Sequence, residues 1–345
     1  MRAPGIDRAR LVANAAHSIS AGSKSFRFAS QIFDQQTRER SWLLYAWCRA
    51  CDDITDGQTL GHDAKAPDNP DERIAFLRER TEDALADQAT GLVPFEALRQ
   101  VTRECHIPAA VTEDHLAGFA RDAAAWRPDS EEDLLSYCYQ VAGSVGVMMA
   151  HVMGVAPDEE DTLDRAADLG VAFQLANIAR DIVEDAKVGR VYLPAQWLAD
   201  EGLLDSDLAD PRHRAALARI TRRLADLAEK YRASSKAGAA RLPFRSRWAV
   251  LSAAGIYGEV ATRAAALGQR AWDRRITTGK WEKAALVIEA YWEALLPVRK
   301  TERTGLWTRP RHPVEAPLAP EHGRDAVLPE QPSSARLEEP TRSQS

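Results

Sequence analysis

The chain has 345 residues, of which 45% are hydrophobic and 28% charged, ordinary values that exclude wholesale disorder and a polytopic membrane protein. Its 45 Lys and Arg against 51 Asp and Glu give a net charge of -6, so we expect no nucleic-acid partner. Four cysteines are too few to hold this length of chain together by disulfides, and the first ten residues lack the apolar stretch of a secretory signal. We therefore expect a cytoplasmic protein.

Apolar residues recur at intervals of three and four along most of the sequence, as they do at Leu217, Ile220 and Leu224. This spacing is typical of amphipathic helices, and no run of β-branched residues alternates with polar ones as a half-buried strand requires. The predicted fold class is therefore all-α. No P-loop, HExxH or GxGxxG fingerprint occurs, which argues against a nucleotide hydrolase, a zinc protease or a dinucleotide enzyme.

The predicted elements can be placed along the chain from local signals. In chain order they are a buried helix over 41–56, an exposed loop over 57–71, a helix that a capping box opens at Ser130, a buried helix over 141–156, a helix over 171–185 and a striped helix over 217–231. The helix over 141–156 contains His151 and three glycines and is shorter than a bilayer requires, so we interpret it as buried in the protein.

The end of the chain differs in composition from the rest. Seven of the 18 prolines occur from Thr301 onward, and few apolar residues follow Trp307 to offset the entropy lost on ordering. We therefore predict a helical domain over 1–300 and a Pro-rich, disordered tail over 301–345.

The helix over 41–56 carries polar residues on one side of an otherwise apolar surface. Tyr45, Arg49, Asp52 and Asp56 stand at offsets of 0, 4, 7 and 11, which places them within an arc of about 60°. The helix over 171–185 repeats the arrangement with Gln174, Asn177, Asp181 and Asp185. Two such stripes predict a shared function.

Aspartates four residues apart on one helix face repel each other, so each pair requires a cation. Carboxylate and amide oxygens suit Mg²⁺, which completes its shell with water and phosphate oxygens, and Mn²⁺ is an alternative ion. If the two helices face each other, they would hold a diphosphate between metal ions, in a cavity that is otherwise apolar enough for a prenyl chain. Further positive charge is available from Arg49, Arg180, Lys187 or Arg190.

At these residues the sequence resembles the squalene and phytoene synthases, which join two prenyl diphosphates head to head. The similar segments cover roughly residues 15 to 290 in the family's order and spacing: SKSF at 23–26, YAWCRACDDITD at 45–56, YCYQVAGSVG at 137–146 and QLANIARDIVEDAKVGRVYLP at 174–194. The YAWCR and RVYLP versions and GLWTRP at 305–310 look most like the bacterial phytoene branch. The resemblance implies one large helical bundle of the isoprenoid synthase type around a central pocket.

Carried over position by position, the resemblance also implies site residues. The metal ligands would be Asp52, Asp56, Asn177, Asp181 and Asp185. The substrate-binding residues would be Lys24, Ser25, Tyr45, Arg49, Gln174, Asn177, Arg180, Tyr257 and Arg275, with Arg274 as the alternative to the last. Tyr137 and Tyr192 would be catalytic with the four aspartates, because ring faces stabilise carbocations and hydroxyls guide the departing diphosphate or proton.

Two positions stand apart from this carried-over set. Gly22 stands where some relatives have His, so the contribution of that histidine to diphosphate binding is in doubt for this chain. Asp122 resembles an acidic position near the family pocket, but a surface or packing role explains it equally well.

The activity that the resemblance implies is condensation of two geranylgeranyl diphosphates, through prephytoene diphosphate, to phytoene with release of diphosphate. It would need Mg²⁺ and no NADPH, and the apolar product would require a peripheral contact with the inner membrane or handover to a phytoene desaturase. Leu306 and Trp307 are candidate membrane contacts, unless Trp307 packs back on the domain. The alternatives are a squalene or dehydrosqualene synthase that uses farnesyl diphosphate, a class I terpene cyclase, and a non-catalytic assembly protein.

Overall fold

The computed structural model describes residues 6–22, 24–57, 69–297 and 302–312, without the side chains of Ala21, Lys24 and Ser25. Within these ranges all regular structure is helical and no strand is formed, so the all-α prediction is confirmed. Most of the loop predicted over 57–71 and the tail after residue 312 lie outside the described residues. No helix in the described ranges is long and apolar enough to cross a membrane.

The α-helices are α1 (Arg8–Gly22), α2 (Lys24–Ser30), α3 (Gln35–Thr55), α4 (Pro70–Leu85), α5 (Val93–Cys105), α6 (Ala109–Ala123), α7 (Glu131–Cys138), α8 (Ser144–Val152), α9 (Glu160–Lys187), α10 (Ala195–Asp200), α11 (Arg214–Ala239), α12 (Phe244–Leu267) and α13 (Lys280–Leu295). A π-helical turn over Tyr139–Gly143 joins α7 to α8. The helix predicted over 141–156 is therefore the second half of a continuous helical stretch over 131–152. Its hydrogen-bonding pattern changes from α to π at residues 139–143.

Local sequence signals explain where several helices begin. Ser130 accepts a hydrogen bond from the backbone N–H of Asp133, and Asp133 accepts one from the backbone N–H of Ser130, so the predicted capping box is confirmed. Asp34 caps α3 through its bond from the N–H of Thr37 at 3.0 Å. This cap begins the helix that carries the first polar stripe.

The central element is α9, which packs against α8, α11 and α12. Two glycines let α9 approach the segment before it closely. A Cβ on Gly170 would overlap the carbonyl oxygen of Ala142, and a Cβ on Gly146 would overlap the carbonyl oxygen of Ala166. The glycines of the VAGSVG segment therefore set the spacing between α8 and α9. This contact fixes the position of the helix that carries the second polar stripe.

Residues 302–312, the C-terminal strap, pack on the helical domain although the composition placed them in the tail. Arg303 donates to both carboxylate oxygens of Asp168 at 2.8 and 2.9 Å, and Asp168 also accepts from Ser234 at 2.6 Å. Paired charges hold the strap in place. The prediction of a disordered tail is based on low apolar content and does not take these ion pairs into account.

The strap also fixes the position of Trp307. Its backbone N–H donates to the hydroxyl of Tyr231 at 3.0 Å, and its ring lies 5.5 Å from that of Tyr139. Leu306 and Trp307 are both partly buried against the main core. These contacts favour packing against the domain over the membrane role that the sequence suggested for the two residues.

We predict that Arg303→Ala lowers the free energy of unfolding by about 3 kcal/mol, because it leaves the buried carboxylate of Asp168 without its cation. The control is Arg311→Ala, whose side chain is 47% exposed and whose partner Asp164 keeps Arg309. That variant should lose less than about 1 kcal/mol. Urea unfolding of the two variants measures the difference, and equal losses would contradict the assigned role of the buried pair.

Candidate active site

A cavity of about 840 Å³ lies between α3, α8, α9 and α12. It follows α3 from Ser41 to Asp52, which at 1.5 Å per residue is a length of about 16 Å. Near the start of α3 its wall includes Phe33 and Met149, which belong to a buried apolar cluster. The cavity thus has an apolar end and, where α3 and α9 terminate, a polar end.

Both predicted stripes line this single cavity. The residues that contribute to its wall are Tyr45, Arg49 and Asp52 from α3, and Gln174, Asn177, Arg180, Asp181 and Asp185 from α9. Tyr137, Tyr192, Tyr257 and Arg275 of the predicted set also line it. The helical spacing therefore located most of the site, although the two stripes are more than a hundred residues apart in sequence.

Asp56 is placed differently from the other three aspartates. It is the C-cap residue of α3, does not line the cavity, and forms an ion pair with Arg190 at 2.7 Å. Arg190 itself lines the cavity, and its pairing raises its pKa. The ion pair joins the end of α3 to the segment that follows α9, at the polar end of the cavity.

Arginines compensate the charge of the remaining carboxylates. Arg49 contacts Asp52 at 3.0 Å and Asp53 at 2.6 Å, and Arg180 pairs with Asp181 next to it in sequence. The hydrogen bonds that Arg180 donates to the carboxylate of Asp181 raise the pKa of Arg180. The polar end therefore contains fixed cations as well as carboxylates, as a site for a polyanionic group requires.

Arg275 lies at the same end and is more exposed. Its guanidinium contacts Glu184 at 2.8 Å and Asp181 at 3.9 Å. Because more than half of its side chain is exposed, it can reorient towards an anion that enters the cavity. Glu184, which points away from the predicted stripe, serves here as its partner.

Burial makes two of the carboxylates costly to ionise. Desolvation raises the pKa of Asp52, and desolvation together with the charge of Asp181 raises the pKa of Asp185 to about 6. Among the described residues no three carboxylate, histidine or thiolate groups converge closely enough to enclose an ion, so the aspartates remain in pairs. Partly buried carboxylate and amide oxygens that lack full charge compensation are a donor set that fits Mg²⁺.

Asp122 is a site residue that the sequence did not assign. It accepts hydrogen bonds from the hydroxyls of Tyr137 at 2.9 Å and Tyr192 at 3.0 Å, and the two rings stack with centroids 5.1 Å apart. Burial raises the pKa of Asp122 although the two hydroxyls oppose the shift. Its position seven residues after His115, on the α6 face that lines the cavity, is the signal that could have identified it.

Two further tyrosines stack on phenylalanines in the wall. The ring centroids of Tyr257 and Phe173 are 4.1 Å apart, and those of Tyr45 and Phe26 are 5.5 Å apart. A Cβ on Gly22 would overlap the hydroxyl of Tyr45, so a larger residue at position 22 would displace that ring. The predicted Lys24 and Ser25 belong to α2, but their side chains are outside the described ones.

Comparison with known sequences identifies close relatives. A family described as squalene/phytoene synthase matches residues 19–282. The 15-cis-phytoene synthase of Pantoea ananas is 45% identical over 305 residues, which cover 87% of this chain and 98% of the relative. That of Enterobacter agglomerans is 46% identical over 297 residues, which cover 85% of this chain and 100% of the relative.

Solved structures resemble the fold. A dehydrosqualene synthase in complex with ligand matches with a TM-score of 0.73 at 27% identity, over 82% of this chain and 96% of that one. A squalene synthase from Alicyclobacillus acidocaldarius matches with a TM-score of 0.66 at 21% identity, over 76% of this chain and 95% of that one. The second likeness concerns the fold alone.

We predict that Asp185→Asn stabilises the metal-free protein above pH 6. The pKa of this carboxyl rises from about 4 in the unfolded chain to about 6 in the folded protein. It therefore leaves the free energy of unfolding unchanged below pH 4 and lowers it by the full amount above pH 6. Because Asp185 is partly exposed, the gain at pH 8 should be about 1 kcal/mol, less than the shift alone implies.

Thermal unfolding in EDTA at pH 8 and pH 4 measures this effect. The matched control is Asp200→Asn at the end of α10, where the side chain is 73% exposed and the stability should not change. A gain of equal size at both pH values would contradict the assignment, since only the ionised carboxylate incurs the penalty.

Proposed function

The chain belongs to the squalene/phytoene synthase family, and we propose that it catalyses the phytoene synthase reaction. Two molecules of geranylgeranyl diphosphate are condensed head to head through prephytoene diphosphate, and diphosphate is released. The observation that carries the proposal is the form of the cavity, which combines an apolar end with a polar end that contains paired aspartates and several arginines. Relatives named phytoene synthase that align over almost their whole length support the same reaction.

We assign the polar end to diphosphate. Asp52, Asp56, Asn177, Asp181 and Asp185 would hold Mg²⁺, or Mn²⁺ in its place, and the metal would neutralise charge on the leaving diphosphate. Arg49, Arg180, Arg190 and Arg275 stand at the same end and would bind diphosphate oxygens directly. Lys24 and Ser25 are proposed to join them from α2.

We assign the wall of the cavity to the reacting isoprenoid chains. The aromatic rings of Tyr137 and Tyr192, which stack on each other and line the cavity, would stabilise positive charge that develops when diphosphate departs. Asp122 orients these two tyrosines through its hydrogen bonds. Tyr45 and Tyr257 line the wall further along, and the apolar surroundings keep water away from a reactive cation.

The product is proposed to be 15-cis-phytoene, as in the names of the two bacterial relatives. No nicotinamide would be consumed, because phytoene keeps the double bond that a reductive synthase removes. We also propose that the protein contacts the membrane peripherally and passes its product to lipid or to a phytoene desaturase, since a hydrocarbon leaves water spontaneously.

An assay of the purified protein separates this activity from that of related synthases. Geranylgeranyl and farnesyl diphosphate are supplied in parallel, with Mg²⁺, Mn²⁺ or EDTA and with or without NADPH, and the extracted products are identified by mass spectrometry. We expect phytoene from the C20 substrate with metal alone. Dehydrosqualene as the main product would assign the chain to the farnesyl branch, and a strict requirement for NADPH would assign it to the squalene branch.

We predict that Asp52→Asn and Asp181→Asn each reduce kcat about a hundredfold or more, since each removes a charged metal ligand. The fold should persist, because neither side chain belongs to the apolar core. Asp200→Asn makes the same chemical change on the exposed end of α10 and should retain full turnover. Steady-state rates measure the loss of kcat, and circular dichroism checks that the fold persists. Wild-type turnover in either site variant would contradict the assignment of these aspartates as metal ligands.

A further inference from the structure

Helix α13 exposes a stripe of large apolar side chains. With their exposed fractions these are Trp281 at 90%, Ile288 at 60%, Trp292 at 62%, Leu295 at 53% and Leu296 at 61%. At about 100° per residue the four within the helix lie in an arc of about 60°, and Leu296, the C-cap residue in extended backbone, follows directly after them. A soluble helix normally exposes charged residues there, so this α13 stripe is an apolar surface that requires a partner.

The opposite side of α13 is buried. Ala290 and Ala294 are 3% exposed and pack with Ala239 and Leu251. Val287 packs against the cluster that contains Phe33 and Ala249, two residues that line the apolar end of the cavity. Helix α13 therefore packs on the outside of the wall at that end of the cavity, with the α13 stripe on its far side.

The contacts of α13 hold the stripe in a fixed orientation. The indole N–H of Trp248 donates to the carbonyl of Val287 at 2.8 Å, and Arg247 donates to the carbonyl of Leu296 at 2.6 Å. Phe244, itself 41% exposed, packs edge-on to Tyr291 and extends the apolar surface beside the helix. The stripe is thus part of a rigid surface.

We propose that the α13 stripe is the surface that docks on a lipid bilayer, with the helix parallel to the membrane plane. The inference deepens the proposed function, because a hydrocarbon product that forms in the cavity needs an apolar acceptor. Trp281 and Trp292 are eleven residues apart on one side of the helix, and indole rings favour the membrane interface. The stripe lies on the outer side of a helix that packs against wall residues at the apolar end of the cavity, so docking would bring lipid close to the product.

Charge determines which kind of membrane binding is expected. The exposed charged residues of α13 are Lys280 and Glu289, one of each sign, which border the stripe. The chain as a whole carries -6, so attraction to anionic lipid is weak. Docking should therefore depend on burial of apolar side chains and should be nearly insensitive to salt.

Vesicle flotation tests the docking surface with the full chain. Phosphatidylcholine vesicles and vesicles of phosphatidylcholine with phosphatidylglycerol at a ratio of three to one are mixed with wild type, with a Trp281→Ser/Trp292→Ser variant and with Leu204→Ser. Leu204 is 69% exposed and lies outside α13, so it is the matched control. We expect wild type and the control to bind both kinds of vesicle, and the double variant to bind about tenfold less.

A second readout locates the contact. Brominated phosphatidylcholine should quench tryptophan fluorescence in wild type much more than in a Trp281→Phe/Trp292→Phe variant. Equal vesicle binding by wild type and the double serine variant would overturn the proposal. The proposal would also be overturned if the stripe joins two copies of the chain. In that case sedimentation would show a dimer for wild type and a monomer for the double serine variant, and wild type would bind no vesicles.

Activity in detergent separates this inference from the proposed function. The double serine variant should form product from geranylgeranyl diphosphate in detergent micelles at the wild-type rate, since neither tryptophan lines the cavity. If no variant forms product but flotation still depends on the two tryptophans, the proposed function fails and the docking surface stands. If product forms and flotation is absent, the docking surface fails alone.

Discussion

Two pairs of aspartates at the end of an apolar cavity are the feature on which the rest of the structure depends. Burial raises the pKa of Asp52 and Asp185, so the folded protein maintains an unfavourable charge distribution where the diphosphate is proposed to bind. Arginines that pair with the carboxylates, including Arg49 and Arg180, reduce this penalty and remain available to an anion. The ionised carboxylates lower the stability of the ligand-free protein. Binding of metal and diphosphate would neutralise them and so raise the free energy of unfolding.

Helix α9 has to be held firmly, since it presents one of these pairs. Around Gly170 the contact is steric, because the backbone of the preceding segment approaches closer than any side chain would allow. Nearer the start of α9 the contact is electrostatic, because Arg303 of the C-terminal strap pairs with the buried Asp168. Two independent constraints therefore set the position of a helix whose far end contains Asp181 and Asp185.

Periodic features of this fold could be predicted from sequence, and isolated ones could not. The aspartate stripes repeat at helical spacing and the capping box at Ser130 is a motif of neighbouring residues, so local reasoning located both. The strap depends on the pairing of Arg303 with Asp168, which are 135 residues apart and leave no local pattern. Asp122 is one carboxylate on an ordinary helix, and only its contact with two tyrosines makes it part of the site.

The same physical reasoning connects the cavity with the outside of the protein. The apolar end of the cavity is lined by residues such as Phe33 and Ala249, and α13, which packs on the outer side of these residues through Val287, carries large apolar side chains towards the solvent. Exposure of large apolar side chains to water is unfavourable, and covering them stabilises the protein. Since the proposed product needs an apolar phase, a bilayer at the stripe of Trp281 and Trp292 would both cover the helix and accept the product.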